Sequence, residues 1–353
     1  MAYRVSESTA GTKMHIGFDV IGDIHGELPA LKNLAIALGY NVNRGWRHPN
    51  GRILVFLGDL VDRGMYSIEV AELVRSLVAE RRAFCIMGNH EYNLAAYHLK
   101  VPGYEKPKSS NSRTIKEIQK APEKWGPILE WFRDLPIGIE LPELRIIHAC
   151  WHRQSLEQVR RFLARSPDPI TENLSNFDLL SACVVLRSPF TVTKLIDGLP
   201  GDTADRSCVI PHEDLMTGFE IDTPEPFYDN DGKLRTRIRS VWWKDGQHLV
   251  LNDKTQVFGH YWNCPPLDGN IAPPFPSGHP QLRAWSRDMV NRCPPSGRMQ
   301  LKGDFVCVDF QGITLASDKH ACIGALRWPE REIVWESGPK TSATPKHRSP
   351  GDP

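Results

Sequence analysis

The sequence lacks a cysteine framework, a large net charge and a long apolar run. Its eight cysteines are scattered without a C-x-x-C pair, which argues against a zinc site built from thiolates and indicates a reducing compartment. The formal net charge of +1 creates no bulk field that would attract nucleic acid or an acidic membrane surface. No apolar run approaches the roughly 20 residues of a membrane span, and the Ser/Thr-rich residues 1–13 lack the apolar centre of a secretory signal. We therefore expect a cytoplasmic protein with no membrane partner and no bulk nucleic-acid binding.

The chain of 353 residues is long enough for one elaborated domain with a large core. We predict a single domain over residues 14–338, with insertions near residues 99–125 and 264–300. Residues 1–13 are predicted to be a flexible N-terminus. Residues 339–353 are rich in Pro, Lys, Ser and Gly and have little to bury, so we predict a disordered C-terminal tail.

Three strand–turn–helix units begin the chain. Short apolar runs at Phe18–Ile21, Ile53–Leu57 and Phe84–Met87 predict buried strands, and each leads through a glycine-containing turn into a helical pattern. This succession favours a parallel sheet with right-handed crossovers. The polar segment Val101–Lys124 predicts an insertion or a loop, and Trp125–Leu135 has the spacing of a helix.

Later apolar runs predict further strands, at Arg145–Cys150, Thr255–His260, Phe305–Phe310, Ala321–Trp328 and Glu332–Trp335. A second sheet, mixed or antiparallel and packed against the first, accommodates them most simply. The predicted fold class is therefore α/β, in which two packed mixed sheets form a central β-sandwich flanked by helices.

Polar side chains follow the predicted strands where each strand stops and a tight turn begins. They comprise two carboxylates, one amide and three imidazoles: Asp23, His25, Asp59, Asn89, His148 and His260. Sites form at the carboxyl ends of strands in an α/β sheet, and imidazole ligands favour later metals over Ca and Mg. Six ligands suit two ions that share one bridging carboxylate, for which Asp59 is the natural candidate. Manganese is the expected metal, with iron and zinc as alternatives.

Three further residues fit the remaining roles in a two-metal phosphoester hydrolase. In such a site the two ions clamp the attacking and leaving oxygens of an in-line displacement, and a bridging hydroxide attacks phosphorus. His90 can protonate the leaving oxygen as the general acid. Asp62 can orient the His90 ring and raise its pKa, and Arg63 can bind phosphate oxygens through its planar guanidinium.

The segments Gly22–Gly26, Gly58–Gly64 and Gly88–Glu91 read Gly-Asp-x-His-Gly, Gly-Asp-x-x-Asp-Arg-Gly and Gly-Asn-His-Glu. In this order they resemble the signature of the calcineurin-like metallophosphoesterases. The Asp-Arg-Gly ending resembles the phosphoprotein phosphatase branch, with its bacterial-type serine/threonine phosphatases and the neighbouring diadenosine tetraphosphatases. The resemblance implies an α+β fold of the metallophosphoesterase type. It also implies that Asp23, His25 and Asp59 hold one ion, that Asp59, Asn89, His148 and His260 hold the other, and that His90 with Asp62 forms an acid dyad beside Arg63 as a phosphate clamp.

The sequence departs from this family pattern near the last two histidines. Ala149 and Cys150 follow His148 where the family commonly has two glycines, and Tyr261-Trp262 follows His260 in place of threonine. These bulkier residues predict narrower access to the second metal. The second phosphate-binding arginine of the phosphatases has no unambiguous counterpart, and the candidates are Arg187, Arg237 and Arg239.

The predicted function is hydrolysis of a phosphate monoester, carried by a phosphoprotein or by a small molecule. One alternative is hydrolysis of phosphoanhydrides such as dinucleoside polyphosphates or the 5′ ends of RNA, for which Arg235, Arg237 and Arg239 offer a basic strand face. A solvated strand face explains these arginines equally well. The second alternative is a metal-binding scaffold without catalysis. It fits less well, because a degenerate chain should have lost a ligand or the acid histidine.

Overall fold

The computed structural model describes residues 17–101, 103–157, 184–186, 211–228, 234–240, 242–243, 253–261, 298–300, 305–310 and 322–336. The predictions for both termini, for most of residues 264–300, and for Arg187 and Trp262 lie outside these residues. Every helix within the described ranges is too short or too polar to cross a membrane.

The described strands and helices alternate over the first part of the chain, as the sequence predicts. The strands are β1 (Phe18–Ile21), β2 (Ile53–Phe56), β3 (Ala83–Cys85), β4 (Gly138–Glu140), β5 (Leu144–Ile147), β6 (Val184–Leu186), β7 (Glu220–Tyr228), β8 (Leu234–Arg239), β9 (Thr255–Phe258), β10 (Arg298–Gln300), β11 (Phe305–Cys307), β12 (Gly324–Trp328) and β13 (Glu332–Trp335). The helices are α1 (Leu28–Ala37), α2 (Ser67–Ala79), α3 (Asn89–His98), α4 (Ser112–Lys120), α5 (Pro122–Asp134) and α6 (Pro211–Thr217).

Two mixed sheets carry the fold. One has the strand order β10-β13-β12-β1-β2-β3, and the other has the order β11-β9-β5-β4-β6. Strands β1, β2 and β3 are parallel, with Val20 opposite Val55 and Val55 opposite Phe84. Strands β5, β9 and β11 are also parallel to one another. Parallel strands end at the same edge of a sheet, so each sheet gathers several strand ends in one place.

The two sheets pack face to face, and helices cover the outer face of the first. One buried cluster joins Val20 and Val55 of the first sheet to Ile146 and Val257 of the second. A larger cluster joins the other face of the first sheet to α1, α2, α3 and α5, with Phe132 among its fully buried side chains. The α/β prediction of two packed mixed sheets flanked by helices is confirmed.

The segment predicted as an insertion or loop contains a helix. Ser112–Lys120 forms α4, in which Thr114 and Ile115 are buried. Its apolar stripe is short, so the helical period is weak in the sequence, and contacts with distant residues stabilise the helix instead. The predicted strand that carries Arg235, Arg237 and Arg239 is β8, which pairs with β7 in an exposed two-stranded ribbon.

Alanine at Gly58 should destabilise the protein strongly because this turn brings two backbones together. Gly58 has φ +89°, and a Cβ there would lie 2.2 Å from the backbone nitrogen of Gly88. Left-handed backbone and overpacking together should lower the free energy of unfolding of Gly58→Ala by about 3 kcal/mol or more. Gly51→Ala is the matched control, since Gly51 has φ +66° with nothing within 4 Å, and should lose only about 1–2 kcal/mol. If urea unfolding shows the same loss of unfolding free energy for both variants, the close approach of the two backbones at Gly58 does not contribute to the loss.

Candidate metal centre

The predicted ligands meet where the parallel strands of both sheets end. His25 Nε2 lies 3.7 Å from Asp59 Oδ2, and His148 Nε2 lies 3.4 Å from Asp59 Oδ1. The same His148 atom is 3.3 Å from Asn89 Oδ1, and the His148 and His260 rings are 5.1 Å apart. Four of the predicted metal ligands, His25, Asn89, His148 and His260, therefore lie around a fifth, Asp59.

Two groups of side chains among the described residues could each hold an ion, and they share Asp59. One group is His25, Asp59 and His90, and the other is Asp59, His148 and His260, with the ligand atoms of each group within 4.8 Å of one another. The first group contains His90 where the sequence places Asp23. The carboxyl group of Asp23 instead bonds with Asp309 and accepts the backbone N–H of His260 at 3.2 Å.

Backbone contacts fix the orientation of two histidines. His25 Nδ1 donates to the carbonyl oxygen of Val61 at 2.9 Å, and His148 Nδ1 donates to that of Leu57 at 2.7 Å. A carbonyl oxygen can only accept, so in the neutral ring Nε2 carries the lone pair. In both residues this atom faces Asp59, which is the arrangement typical of metal-ligating histidines.

The backbone at the site adopts the left-handed region, which residues other than glycine rarely occupy. The predicted ligands His25, Asp59 and His260 have φ 47°, 49° and 62°. Asp62 and Arg63 have φ 69° and 67°. Such strained conformations cluster at functional sites, where the surrounding structure compensates for them. Their concentration here supports a functional role for this edge of the sandwich.

Glu91 holds the turn that carries Asp59. Its buried carboxylate accepts the backbone N–H groups of Asp59 at 2.7 Å, Leu60 at 2.8 Å and Gly88 at 3.1 Å. Burial and the nearby Asp59 raise the pKa of Glu91 to about 7. Asp59 in turn accepts the N–H of His90 at 3.1 Å. The turns after β2 and β3 are therefore linked by hydrogen bonds in both directions.

The electrostatics of the buried cluster suit cations. Burial, Asp309 and Asp59 raise the pKa of Asp23 well above its usual value, because carboxylates crowded away from water repel one another. Burial alone would raise the pKa of Asp59 too, but His148 and the other imidazoles hold it well below its usual value. Burial and His90 lower the pKa of His25 to about 3, so His25 is neutral and able to bind a metal. The donor set fits a metal centre.

His90 forms a dyad with Asp62. His90 Nδ1 and Asp62 Oδ2 are 2.7 Å apart, and both side chains are buried. His90 Nε2 then faces the cluster, 3.8 Å from Asp59 Oδ2. Burial opposes the charged form of His90, but Asp59 and Asp62 outweigh it and raise the pKa of His90. Arg63 is exposed next to this dyad, and its guanidinium interacts electrostatically with Asp59, Asp309 and Asp62.

Three residues near the site are absent from the predicted set. Asp309 is fully buried. It lies inside the predicted strand Phe305–Phe310, where an acidic residue in an apolar run was the signal in the sequence. Asn111 and Thr114 are also buried and donate hydrogen bonds to Asp62. They lie in the polar segment that predicted a loop, and no periodic pattern marks them.

The candidates for a second phosphate-binding arginine gain no support from the ribbon. Arg237 is exposed and pairs with Asp222 at 3.4 Å, and it donates to the carbonyl oxygen of Glu220 at 2.8 Å. Arg239 belongs to the same strand, opposite Glu220. The contacts of Arg237 match the solvated strand face that the sequence left open.

Three of the residues that depart from the family pattern, Ala149, Cys150 and Tyr261, are described by the structure and pack into the interior. Ala149 and Cys150 are buried, and their N–H groups donate to the carbonyl oxygen of Leu215 in α6 at 3.0 and 3.2 Å. The buried Tyr261 ring contacts Trp243, with ring centroids 4.7 Å apart. Whether they narrow access to the second metal stays a prediction.

Comparisons with known proteins agree with the geometry. The sequence model of the calcineurin-like phosphoesterases matches residues 16–196. The chain is similar to the asymmetrical bis(5′-nucleosyl)-tetraphosphatase PrpE of Halalkalibacterium halodurans, at 47% identity over 83 residues, which are 23% of this chain and 34% of that protein. The PrpE protein of Oceanobacillus iheyensis is 49% identical over 73 residues, or 20% of this chain and 29% of the relative. The matched stretch thus spans only about a third of the length of these relatives.

Among solved structures, the chain is similar to a protein serine/threonine phosphatase from Saccharomyces cerevisiae. The TM-score is 0.44 at 15% sequence identity, and the alignment covers 92% of this chain and 80% of that one.

Proposed function

Since the chain belongs to the calcineurin-like phosphoesterases, and is therefore a metal-dependent phosphoesterase, we propose that it hydrolyses a phosphate monoester of a phosphoprotein or a small molecule. The observation that carries this proposal is the Asp59 carboxylate, which belongs to both groups of potential ligands. A shared carboxylate is what two adjacent catalytic ions need. We assign Asp23, His25, Asp59, Asn89, His148 and His260 as the ligand set.

Two bound ions would supply a hydroxide at neutral pH and positive charge for the phosphoryl oxygens. The protein supplies the remaining functions. Arg63 binds phosphate oxygens through its guanidinium, for which the planar fork of this group is suited. His90 donates the proton on Nε2 to the leaving oxygen, while Asp62 accepts the hydrogen bond from Nδ1 and keeps the ring in place.

A phosphoanhydride is the second candidate substrate. The relatives that match the N-terminal motifs are named as asymmetrical bis(5′-nucleosyl)-tetraphosphatases, and the phosphates of a tetraphosphate chain are joined to one another by anhydride linkages. The same cluster could perform either reaction, because hydroxide attack on phosphorus and protonation of a leaving oxygen are common to both. A scaffold without catalysis is disfavoured, because every predicted ligand and the acid dyad are present.

A substrate panel with purified protein and added Mn²⁺ tests the proposal. It contains 4-nitrophenyl phosphate, a phosphopeptide, a phosphodiester and a dinucleoside tetraphosphate. We expect turnover of a monoester that chelation abolishes and added metal restores. Preferential turnover of the tetraphosphate would move the assignment to the second candidate. No turnover of any substrate, with no metal detected by elemental analysis, would exclude both.

His90→Asn should slow the hydrolysis of a substrate with a poor leaving group, such as phenyl phosphate, by roughly 10²–10⁴-fold in kcat. 2,4-Dinitrophenyl phosphate should be affected far less, because its leaving oxygen needs no proton. The matched control is His98→Asn, since His98 is exposed on the same helix α3. Unchanged turnover of phenyl phosphate by His90→Asn would remove His90 from the acid role.

A further inference from the structure

We propose that Asn111 and Thr114 are positioning residues for the acid dyad. They fix the Asp62 carboxylate and, through it, the angle at which His90 presents its proton to the leaving oxygen. The inference rests on the function proposed above for His90 and adds residues from a different part of the chain. Asn111 and Thr114 lie 49 and 52 residues after Asp62, and both are buried.

Both oxygens of Asp62 are occupied by donors. Oδ1 accepts the hydroxyl of Thr114 at 2.5 Å and the Thr114 backbone N–H at 3.3 Å. Oδ2 accepts the side-chain amide of Asn111 at 2.5 Å and bonds with His90 Nδ1 at 2.7 Å. A carboxylate held from both sides cannot rotate about its Cβ–Cγ bond without breaking these bonds. The His90 ring is therefore held as firmly as Asp62 is.

The burial of these polar side chains supports a specific role. Thr114 is 0% exposed and Asn111 is 1% exposed, although the segment around them is polar. Burying a hydroxyl or an amide is unfavourable unless it is hydrogen-bonded, and the bonds to Asp62 meet that need for both. The Asn111 amide also lies 3.4 Å from the carbonyl oxygen of His90, so it contacts both members of the dyad.

The start of helix α4 reinforces the same turn. The Thr114 N–H that reaches Asp62 belongs to the first turn of α4, whose partial positive charge favours a carboxylate. Arg113, between the two positioning residues, donates to the backbone carbonyl of Arg63 at 3.1 Å and pairs with Glu117 at 3.3 Å. Helix α4 therefore holds the backbone of Arg63, which follows Asp62, as well as the Asp62 side chain.

A purely structural role is the competing explanation, in which these bonds serve only to dock α4. The two explanations differ in how activity depends on the leaving group. If the acid is misplaced, kcat should fall more for substrates whose leaving oxygen is more basic. Damage to the fold or to metal binding should lower kcat by the same factor for all substrates, because the attack on phosphorus is impaired for each of them.

The test measures kcat for a series of aryl phosphates, from 2,4-dinitrophenyl to phenyl, with Mn²⁺-loaded full-length protein. Thr114→Val keeps the shape of the side chain but removes the hydroxyl. We expect it to lower kcat for phenyl phosphate by roughly 10–100-fold, as the loss of an orienting partner typically does, and to steepen the dependence on leaving-group pKa. Thr114→Ser should restore the wild-type slope, and Asn111→Ala should steepen it. Lys116→Ala, exposed on the same helix, is the control with the wild-type slope.

The outcomes separate the inference from the function on which it rests. Absence of metal-dependent turnover in the wild type would overturn the proposed function. A wild-type slope for His90→Asn would overturn the acid role and with it the role of both positioning residues. A steeper slope for His90→Asn, with equal losses across the series for Thr114→Val and Asn111→Ala, would overturn the positioning role alone. If Thr114→Val does not fold, as judged by circular dichroism, Asn111→Ala decides by the same slope.

Discussion

Asp59→Asn should abolish the binding of both ions. His25→Ala and His260→Ala should each abolish the binding of one ion. The reason is that Asp59 belongs to both groups of potential ligands, while His25 and His260 belong to one group each. Asparagine keeps the size of the side chain and an oxygen that can accept the N–H of His90, now 3.1 Å from Asp59 Oδ1. The substitution therefore removes the bridging charge with little change to the turn.

The expected loss in kcat is about 10³-fold or more, because metal ions contribute several kcal/mol of charge stabilisation and each 1.36 kcal/mol corresponds to a factor of ten. Elemental analysis of protein that has been reconstituted with Mn²⁺ and dialysed gives the number of bound ions. Asp134→Asn, at an exposed carboxylate, should bind metal as the wild type does. Retention of two ions and full activity by Asp59→Asn would show that this carboxylate does not bridge.

The positions of β1, β2 and β3 were predictable because each belongs to a short apolar run that leads into a glycine-containing turn. The strand Phe18–Ile21 has the predicted bounds, but the strand predicted over Thr255–His260 ends at Phe258. The difference has a physical cause. His260 has φ 62°, so the chain leaves the extended conformation before the histidine in order to direct it into the cluster.

The residues that support the site were less predictable. Thr114 meets Asp62 although 52 positions separate them, and Asp309 meets Asp23 from another sheet. Such pairings depend on how elements pack, which a periodic pattern does not record. Asp309 had a weak signal, since it is an acidic residue inside the apolar run Phe305–Phe310. Asn111 and Thr114 had no signal in the sequence. A polar helix that is stabilised by tertiary hydrogen bonds has the same residue pattern as a polar loop.

A second network, centred on Asp19 in β1, has no part in the proposed reaction but should dominate stability. The Asp19 carboxylate is fully buried. It accepts hydrogen bonds from Arg52 at 3.0 Å, from Arg327 at 3.0 Å and from the Tyr40 hydroxyl at 2.9 Å. Arg52 also donates to the carbonyl oxygens of Phe18 and Trp328. The network thereby joins β1 to β12 on one side and to the segment before β2 on the other.

Asp19→Asn should lower the free energy of unfolding by about 3–5 kcal/mol, because it removes the negative charge that faces two largely buried arginines. Arg52 keeps its salt bridge with Glu330 at 2.7 Å, so the loss falls mainly on Arg327. Asp134→Asn makes the same chemical change at a carboxylate that is 66% exposed and paired with Arg133, and it should cost no more than about 1 kcal/mol. Urea unfolding of the two variants gives the comparison. If Asp19→Asn is too unstable to purify, Tyr40→Phe removes one donor and should cost about 1 kcal/mol. Equal stability of Asp19→Asn and Asp134→Asn would mean that the network contributes little, and that packing of the two sheets alone holds β1 between β2 and β12.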